Sequence, residues 1–225
     1  MTEILRLENV SLSLPSRAGL VDILKSVSFS AHAGEAIGIV GPSGSGKTSM
    51  LMVASGLEAV SGGAVTACGF AFAGQGEQAL ARFRRDNVGI IFQSFHLIPT
   101  MTALENVSVP LEFRGRPDAA ERAAEALGKV GLAHRLTHYP SQLSGGEQQR
   151  VAIARAIAAG AKLLLADEPT GNLDQETGAS VIELLFDLKK QTGATLLLVT
   201  HDRALAQRCD RILEVKDGHV SEGRT

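Results

Sequence analysis

The chain has 225 residues, with 44% hydrophobic and 20% charged residues and a formal net charge of −2. That length buries enough surface to hold a core without disulfide or metal staples. The balanced charge excludes a net basic field that would draw in nucleic acid, and two distant cysteines, Cys68 and Cys209, make neither a zinc pattern nor a disulfide framework.

The N-terminal residues Met1-Thr2-Glu3-Ile4-Leu5-Arg6 carry neither the basic nor the apolar region of a signal peptide. No run reaches the ~18 apolar residues of a membrane span. The longest candidate, Val151 to Ala166, is broken by Arg155 and Lys162. A cytosolic chain is expected, and any membrane spans must come from a partner.

Ile4 to Leu14 alternates and is expected to turn at Pro15, and Ile23 to Ser30 is a second strand-like run. Together they predict an antiparallel edge sheet. Ala36–Val40 reads as a buried strand ending at Gly41, followed by a helix over Thr48–Ala54, and Val88–Phe92 is another strand. From Pro99 to Gly160 no buried strand is evident. Pro117–Lys129 instead sets Ala120, Ala123, Ala124, Leu127 and Val130 on one side of a helix, and Gly146–Ala159 is a second helix. Two further apolar strands, Lys162–Ala166 and Thr195–Val199, flank a helix over Glu176–Lys190 with Val181, Leu184, Leu185 and Leu188 inward. Strands this apolar are covered on both faces, as in parallel sheets. The fold class is therefore α/β, mostly parallel, with an antiparallel β edge and an inserted helical subdomain. The expected organisation is one domain, 1–225, with 1–95 and 161–225 forming the core and 96–160 the helical insertion.

Gly41-Pro42-Ser43-Gly44-Ser45-Gly46-Lys47-Thr48 fits the pattern G-x-x-x-x-G-K-S/T between a strand and a helix. Glycines let consecutive backbone N–H groups converge, and with the positive end of the helix that opens at Thr48 and Ser49 they hold phosphate oxygens. Lys47 adds a point charge near the terminal phosphates, and the Thr48 hydroxyl can ligate Mg²⁺.

Leu163-Leu164-Leu165-Ala166-Asp167-Glu168 ends an apolar strand in two carboxylates. Strand tips of parallel sheets border the ligand crevice. Asp167 can hold Mg²⁺ through water, which leaves Glu168 to polarise an attacking water as general base. Gln93, at another strand tip, can reach Mg²⁺ or water, and His201 can bond a terminal phosphate oxygen. A second helix start, Leu143-Ser144-Gly145-Gly146-Glu147-Gln148, suits an anion but has no lysine of its own. A capping box explains Ser144 and Glu147 but leaves Gly145 and Gly146 unexplained.

In this order the motifs resemble those of ATP-binding-cassette ATPases, along essentially the whole chain. Gly41–Thr48 resembles the Walker A loop, Gln93 the Q-loop, Ser144–Gln148 the signature, Leu163–Glu168 Walker B with its catalytic Glu, Gly171-Asn172-Leu173-Asp174 the D-loop, and His201 the switch histidine. The resemblance implies a P-loop NTPase core, a Mg²⁺-dependent ATPase, and two copies pairing head to tail around ATP. Ser144, Gly145 and Gly146 then act on the nucleotide of the other copy, and Asp174 lies across the dimer. It also implies an integral membrane permease as partner and a peripheral place on the cytoplasmic face of the inner membrane. The aromatic residue that usually stacks on adenine near the chain start is missing. Leu14 is its nearest counterpart, so weak selectivity for adenine over guanine is expected.

The apolar segment Phe95 to Pro99 and the Gly171–Asp174 loop are similar to those of the lipoprotein-releasing and macrolide-efflux type, which implies release or efflux of lipoprotein, lipid or hydrophobic compounds. The alternative is a non-transport ATPase of this family that regulates assembly of a cell-envelope or cell-division complex. His134 and His138 read as surface histidines, Asn106-Val107-Ser108 as a fortuitous glycosylation pattern, and Arg82, Arg84 and Arg85 beside Asp86 as a solvated helix face.

Overall fold

A computed structural model describes residues 2–16 and 19–223. In chain order the elements are β1 (Glu3–Ser16), β2 (Gly19–His32), β3 (Ala36–Val40), α1 (Lys47–Ser55), β4 (Gly62–Ala67), β5 (Phe70–Ala71), α2 (Glu77–Asn87), β6 (Val88–Phe92) and α3 (Ala103–Glu112). There follow α4 (Ala119–Lys129), a 3-10 turn at Pro140–Gln142, α5 (Gly145–Ala158), β7 (Leu163–Asp167), α6 (Gln175–Thr192), β8 (Thr195–Val199), α7 (Arg203–Ala206), β9 (Arg211–Lys216) and β10 (His219–Glu222). The chain divides into two compact units, Met1–Arg84 with Ala194–Thr225, and Arg85–Gly193.

In the first unit, β2, β1, β4 and β5 form an antiparallel sheet in that order. Leu5 and Leu7, and beyond a register shift Val10 and Leu12, are the buried residues of β1, each pair two residues apart as the period of a strand requires. The strand does not turn at Pro15 but runs on to Ser16, with Pro15 opposite Leu20. Pairing of β1 with β4 ends at Ser11, so proline's missing N–H falls on an edge where no ladder bond is lost. β3 lies between β8 and β9 and is parallel to both, and β10 pairs antiparallel with β9. Every residue of β3 and β8 is buried, as expected of strands covered on both faces. The short strands β4, β5, β9 and β10 have no clear sequence signature. β4 opens with two glycines, and β9 and β10 alternate with charges.

The second unit contains β6 parallel to β7, registered Val88 to Leu163 and Phe92 to Asp167, with α3, α4, α5 and α6. β7 is displaced by one residue from the expected Lys162–Ala166. Lys162 is exposed, and its N–H instead bonds the Asn87 carbonyl at 2.9 Å. Helix starts carry side-chain caps: Thr102 with Glu105 on α3, Ser144 with Glu147 on α5, and Asp174 on α6. Val151, Ala152, Ile153 and Ala154 of α5 are fully buried, as are Ala123 and Leu127 of α4. The α5 backbone packs so tightly on β6 that a β-carbon at Gly89 would lie 2.4 Å from the Ala156 carbonyl oxygen. Among the described residues, no helix is long and apolar enough to cross a membrane.

The basic cluster is more tied down than a solvated face. Arg84 donates to the Gly56 carbonyl at 2.7 Å and pairs with Glu77. Arg85 grips Asp86 through both Nε and Nη2, which holds the Asp86 carboxyl below its ordinary pKa.

Candidate active site

The first unit carries the loop Gly41–Thr48 at the carboxyl end of β3. The loop is folded back so closely that a β-carbon at Gly41 would sit 2.0 Å from the Val215 carbonyl oxygen, and one at Gly46 2.9 Å from that of Ile23. Only glycine allows such backbone approach. α1 begins at Lys47, with Gly46 as its N-cap and no side chain over its first turn. Its leading N–H groups therefore carry the positive end of the helix with no capping competitor. Lys47 is only 7% exposed. Its Nζ donates to the Gly41 carbonyl at 2.9 Å and the Pro42 carbonyl at 2.8 Å, which holds the ammonium beneath the loop. Ser45 Oγ is buried in the same loop with no hydrogen bond to the described residues. Pro42, Ser43, Gly44 and Thr48 are exposed and Ser49 is half-buried. A buried cation, an unsatisfied hydroxyl and an uncapped helix start, in a loop whose Gly41 and Gly46 leave no room for a β-carbon, together fit a phosphate chain.

His201 stands at the same edge. The Thr200 N–H bonds the Ile39 carbonyl at 3.1 Å and so extends the β8–β3 pairing by one residue. His201, exposed, thus leaves its strand where Gly41 leaves its own. Leu14 is half-buried in β1, opposite Val21.

The second unit carries the carboxylates Asp167 and Glu168 and the helix start at Ser144. Phe92 and Asp167 are registered partners at the ends of β6 and β7, so Gln93 and Glu168 emerge side by side. Glu168 has φ +45°, a left-handed conformation rare for a residue with a side chain. Its carbonyl accepts the Gly171 N–H at 3.0 Å, closing a tight turn after β7. Gln93 lies across that turn. Gln93 Nε2 donates to Asn172 Oδ1 at 3.3 Å, and Asn172 Nδ2 returns a bond to the Gln93 carbonyl at 3.1 Å. A β-carbon at Gly171 would come within 2.6 Å of Gln93 Nε2.

Ser144 Oγ accepts the Glu147 N–H at 3.3 Å, and the Glu147 carboxylate accepts the Ser144 N–H at 2.8 Å. Arg135 reaches the other Glu147 oxygen at 2.9 Å and His138 Nε2 at 3.0 Å. The Ser144 N–H, and after it the Ser144 and Arg135 side chains, hold the Glu147 carboxyl below its usual range. The paired glycines have a packing reason that sequence alone left open. A β-carbon at Gly146 would lie 2.4 Å from Thr177 Cγ2, and one at Gly145 3.3 Å from Leu173 Cδ2. Thr177 belongs to the first turn of α6, where its N–H bonds Asp174 Oδ1 at 3.0 Å. That N–H, with the Thr177 hydroxyl, keeps the exposed Asp174 carboxyl low.

The structure thus gathers Gly41–Ser49 and His201 at one strand edge of the first unit, and Gln93, Asp167 and Glu168 at one strand edge of the second. Ser144–Gly146 and Asp174 meet through Thr177. Sequence reasoning did not single out Asn172, Thr177 or Arg155 as individual side chains. Arg155 was visible only as a charge interrupting an apolar run, which was the one available signal.

A profile of the ABC transporter family matches residues 24–171. The chain is 46% identical over 222 residues to the lipoprotein-releasing system ATP-binding protein LolD of Geobacter metallireducens, covering 98% of this chain and 99% of that protein. It is 48% identical over 204 residues to the uncharacterized ABC transporter ATP-binding protein YbbA of Escherichia coli K12, covering 90% of each. Among solved structures, a dimeric post-hydrolysis state of the ATP-binding cassette MJ0796 bound to ADP and Pi superimposes with a TM-score of 0.91 at 39% identity, covering 98% of both chains. The fold and these sites define an ATP-binding cassette ATPase with an α/β, P-loop NTPase architecture. The chain belongs to the ABC transporter family and is an ATP hydrolase.

Proposed function

We propose that this chain is the ATP-hydrolysing subunit of a transporter that releases lipoproteins, or related lipidic cargo, from a membrane. The observation that carries this reading is the near end-to-end likeness to lipoprotein-releasing ATP-binding proteins. Two copies clasp ATP head to tail, and an integral membrane permease responds to their opening and closing. The subunit is peripheral on the cytoplasmic face of the inner membrane.

Each residue has a distinct task. The backbone N–H groups of Gly41–Thr48 and the Lys47 ammonium hold the β- and γ-phosphates. Glu168 accepts a proton from water as its oxygen attacks the γ-phosphorus, the bond to the bridging oxygen breaks, and ADP departs. His201 hydrogen-bonds the γ-phosphate, and Gln93 orients the water. Ser144, Gly145 and Gly146 present a capped helix start to the γ-phosphate bound by the other copy, which is consistent with that helix start having no lysine of its own. Asp174 acts across the dimer. Thr48, Gln93 and Asp167 are the oxygen donors expected to hold Mg²⁺, a hard cation suited to such ligands. When bound, it neutralises charge on the phosphate oxygens. The domain organisation proposed is a single cassette with a helical insertion over 96–160. With Leu14 in place of a stacking ring, GTP is expected to bind within about tenfold of ATP.

The test is to purify the chain with the integral membrane protein that accompanies it, reconstitute the pair in liposomes, and add a triacylated lipoprotein with a soluble acceptor. ATP-dependent transfer to the acceptor, with faster hydrolysis, is the expected result. Hydrolysis and complex assembly with no transfer would overturn the cargo and favour a role in regulating assembly.

A further inference from the structure

Phe95 and His96 have φ values of +59° and +48°. Two consecutive left-handed residues with side chains, neither of them glycine or asparagine, form an unfavourable turn that persists only if its surroundings hold it. One side chain does so. Arg155, on α5, donates through Nη1 to the His96 carbonyl at 2.6 Å and through Nη2 to the Phe95 carbonyl at 2.9 Å. The planar guanidinium fork matches two adjacent carbonyls in a way an ammonium cannot. Burial also lowers the pKa of Arg155, so losing either bond would leave a desolvated cation poorly satisfied. The turn begins directly after Gln93. Phe95 N–H bonds the Phe92 carbonyl at 3.3 Å, and His96 N–H bonds that of Ser94 at 2.6 Å. These two bonds tie the conformation of Phe95–His96 to the end of β6 and to the residues on either side of Gln93.

We propose that Arg155 is a positioning residue for Gln93, clamping the left-handed turn Phe95–His96 so that Gln93 is presented toward the Glu168 turn. The role rests on the reading of Gln93 as a residue of the hydrolytic site. The clamp itself can be observed without nucleotide.

The experiment compares wild type, Arg155→Met, Arg155→Lys, His96→Gly and the double variant Arg155→Met/His96→Gly. Two readouts are used: amide hydrogen exchange over residues 93–98 in the nucleotide-free protein, and steady-state ATPase kinetics. Arg155→Met is expected to speed exchange over 93–98 by about tenfold or more. It should lower kcat by about tenfold while KM for ATP stays within about twofold. Arg155→Lys, able to reach one carbonyl at a time, falls between. Glycine adopts the left-handed conformation without steric cost, so His96→Gly should restore most of the protection and most of kcat in the Arg155→Met background. If Arg155 served only the packing or dipole of α5, glycine at 96 would rescue nothing, and that result overturns the proposal. Unchanged exchange in Arg155→Met also overturns it, and Arg155→Lys carries the same test should the methionine variant fail to fold. Full activity in Gln93→Ala overturns the hydrolytic reading of Gln93 and the positioning role with it. That failure is separable, because the exchange data on the clamp do not depend on it.

Discussion

Gly146→Ala separates two reasons for the glycine pair that opens α5. The added methyl would lie 2.4 Å from Thr177 Cγ2, more than 1 Å inside the ~3.5–4.0 Å of a normal carbon contact. Thr177 cannot simply retreat, because its backbone N–H is held by Asp174 at 3.0 Å. Relief requires a strained threonine rotamer or a shift between the starts of α5 and α6, at a cost of roughly 1–3 kcal/mol. Replacing a helical glycine by alanine returns at most about 1 kcal/mol. With the full return the net expectation is a loss of up to about 2 kcal/mol, or a fall in Tm of about 2–4 °C for each kcal/mol. With no tryptophan and one tyrosine in the chain, far-UV circular dichroism is the suitable probe. Thr177→Ser removes the clashing methyl and keeps the hydroxyl, so Gly146→Ala should cost under about 0.5 kcal/mol in that background. Equal losses in both backgrounds, or no loss in either, would refute the packing argument. ATPase activity then isolates the second reason. If Gly146 also faces a phosphate, the double variant recovers its stability but not its turnover.

Glu168→Gln should bind ATP and dimerise, with a steady-state rate reduced by at least ~100-fold. Near-normal hydrolysis would remove Glu168 as the base. Ser144→Arg should retain ATP binding by the monomer, measured by equilibrium dialysis, and lose hydrolysis; normal turnover would argue against a site shared between copies. Glu147→Gln probes the α5 cap through pH. The Glu147 carboxyl is depressed in the folded chain below its ordinary 4.5, chiefly by the Ser144 N–H, so its stabilisation is complete above that value and is lost as pH falls through the folded pKa. Chemical denaturation should show wild type more stable than Glu147→Gln at neutral pH, with the two converging as pH drops below 4.5. A gap independent of pH would show that the carboxylate charge contributes nothing to the cap.

Much of this was legible in sequence because it depends on local patterns. Ala36–Val40 followed by Gly41 announces a buried strand and a sharp turn, and Ser144 with Glu147 announces a helix start through capping chemistry. The β6, β7 and β8 strands and the α4, α5 and α6 helices fall within a few residues of their apolar patterns. What was not legible depends on partners distant in sequence. Gly146 needs to be glycine because of Thr177, on another helix. Pro15 could continue a strand because β4 stops pairing at Ser11. Phe95-His96 gives little signal of left-handed backbone: histidine is modestly enriched there, but phenylalanine is not. Arg155, sixty residues from Phe95, bonds both carbonyls of that turn.

These long-range contacts form a closed circuit in the second unit. Gln93 lies against Gly171 and bonds Asn172. The same loop continues to Asp174, which caps α6 through Thr177. Thr177 abuts Gly146 at the start of α5, and Arg155 of that helix returns to Phe95 and His96, two and three residues beyond Gln93. Almost every link is made of glycine, backbone carbonyl or amide rather than of interdigitated apolar side chains. Such contacts have little room to adjust, because a misplaced β-carbon or an unpaired carbonyl is not relieved by a change of rotamer. The start of α5 is thus linked by direct contacts to Gln93 and to the loop that follows Glu168. These are the groups proposed to position and deprotonate the attacking water. The same stiffness explains why this part of the chain tolerates unfavourable backbone at Phe95, His96 and Glu168: each bend is held by a specific partner, and the partners hold one another.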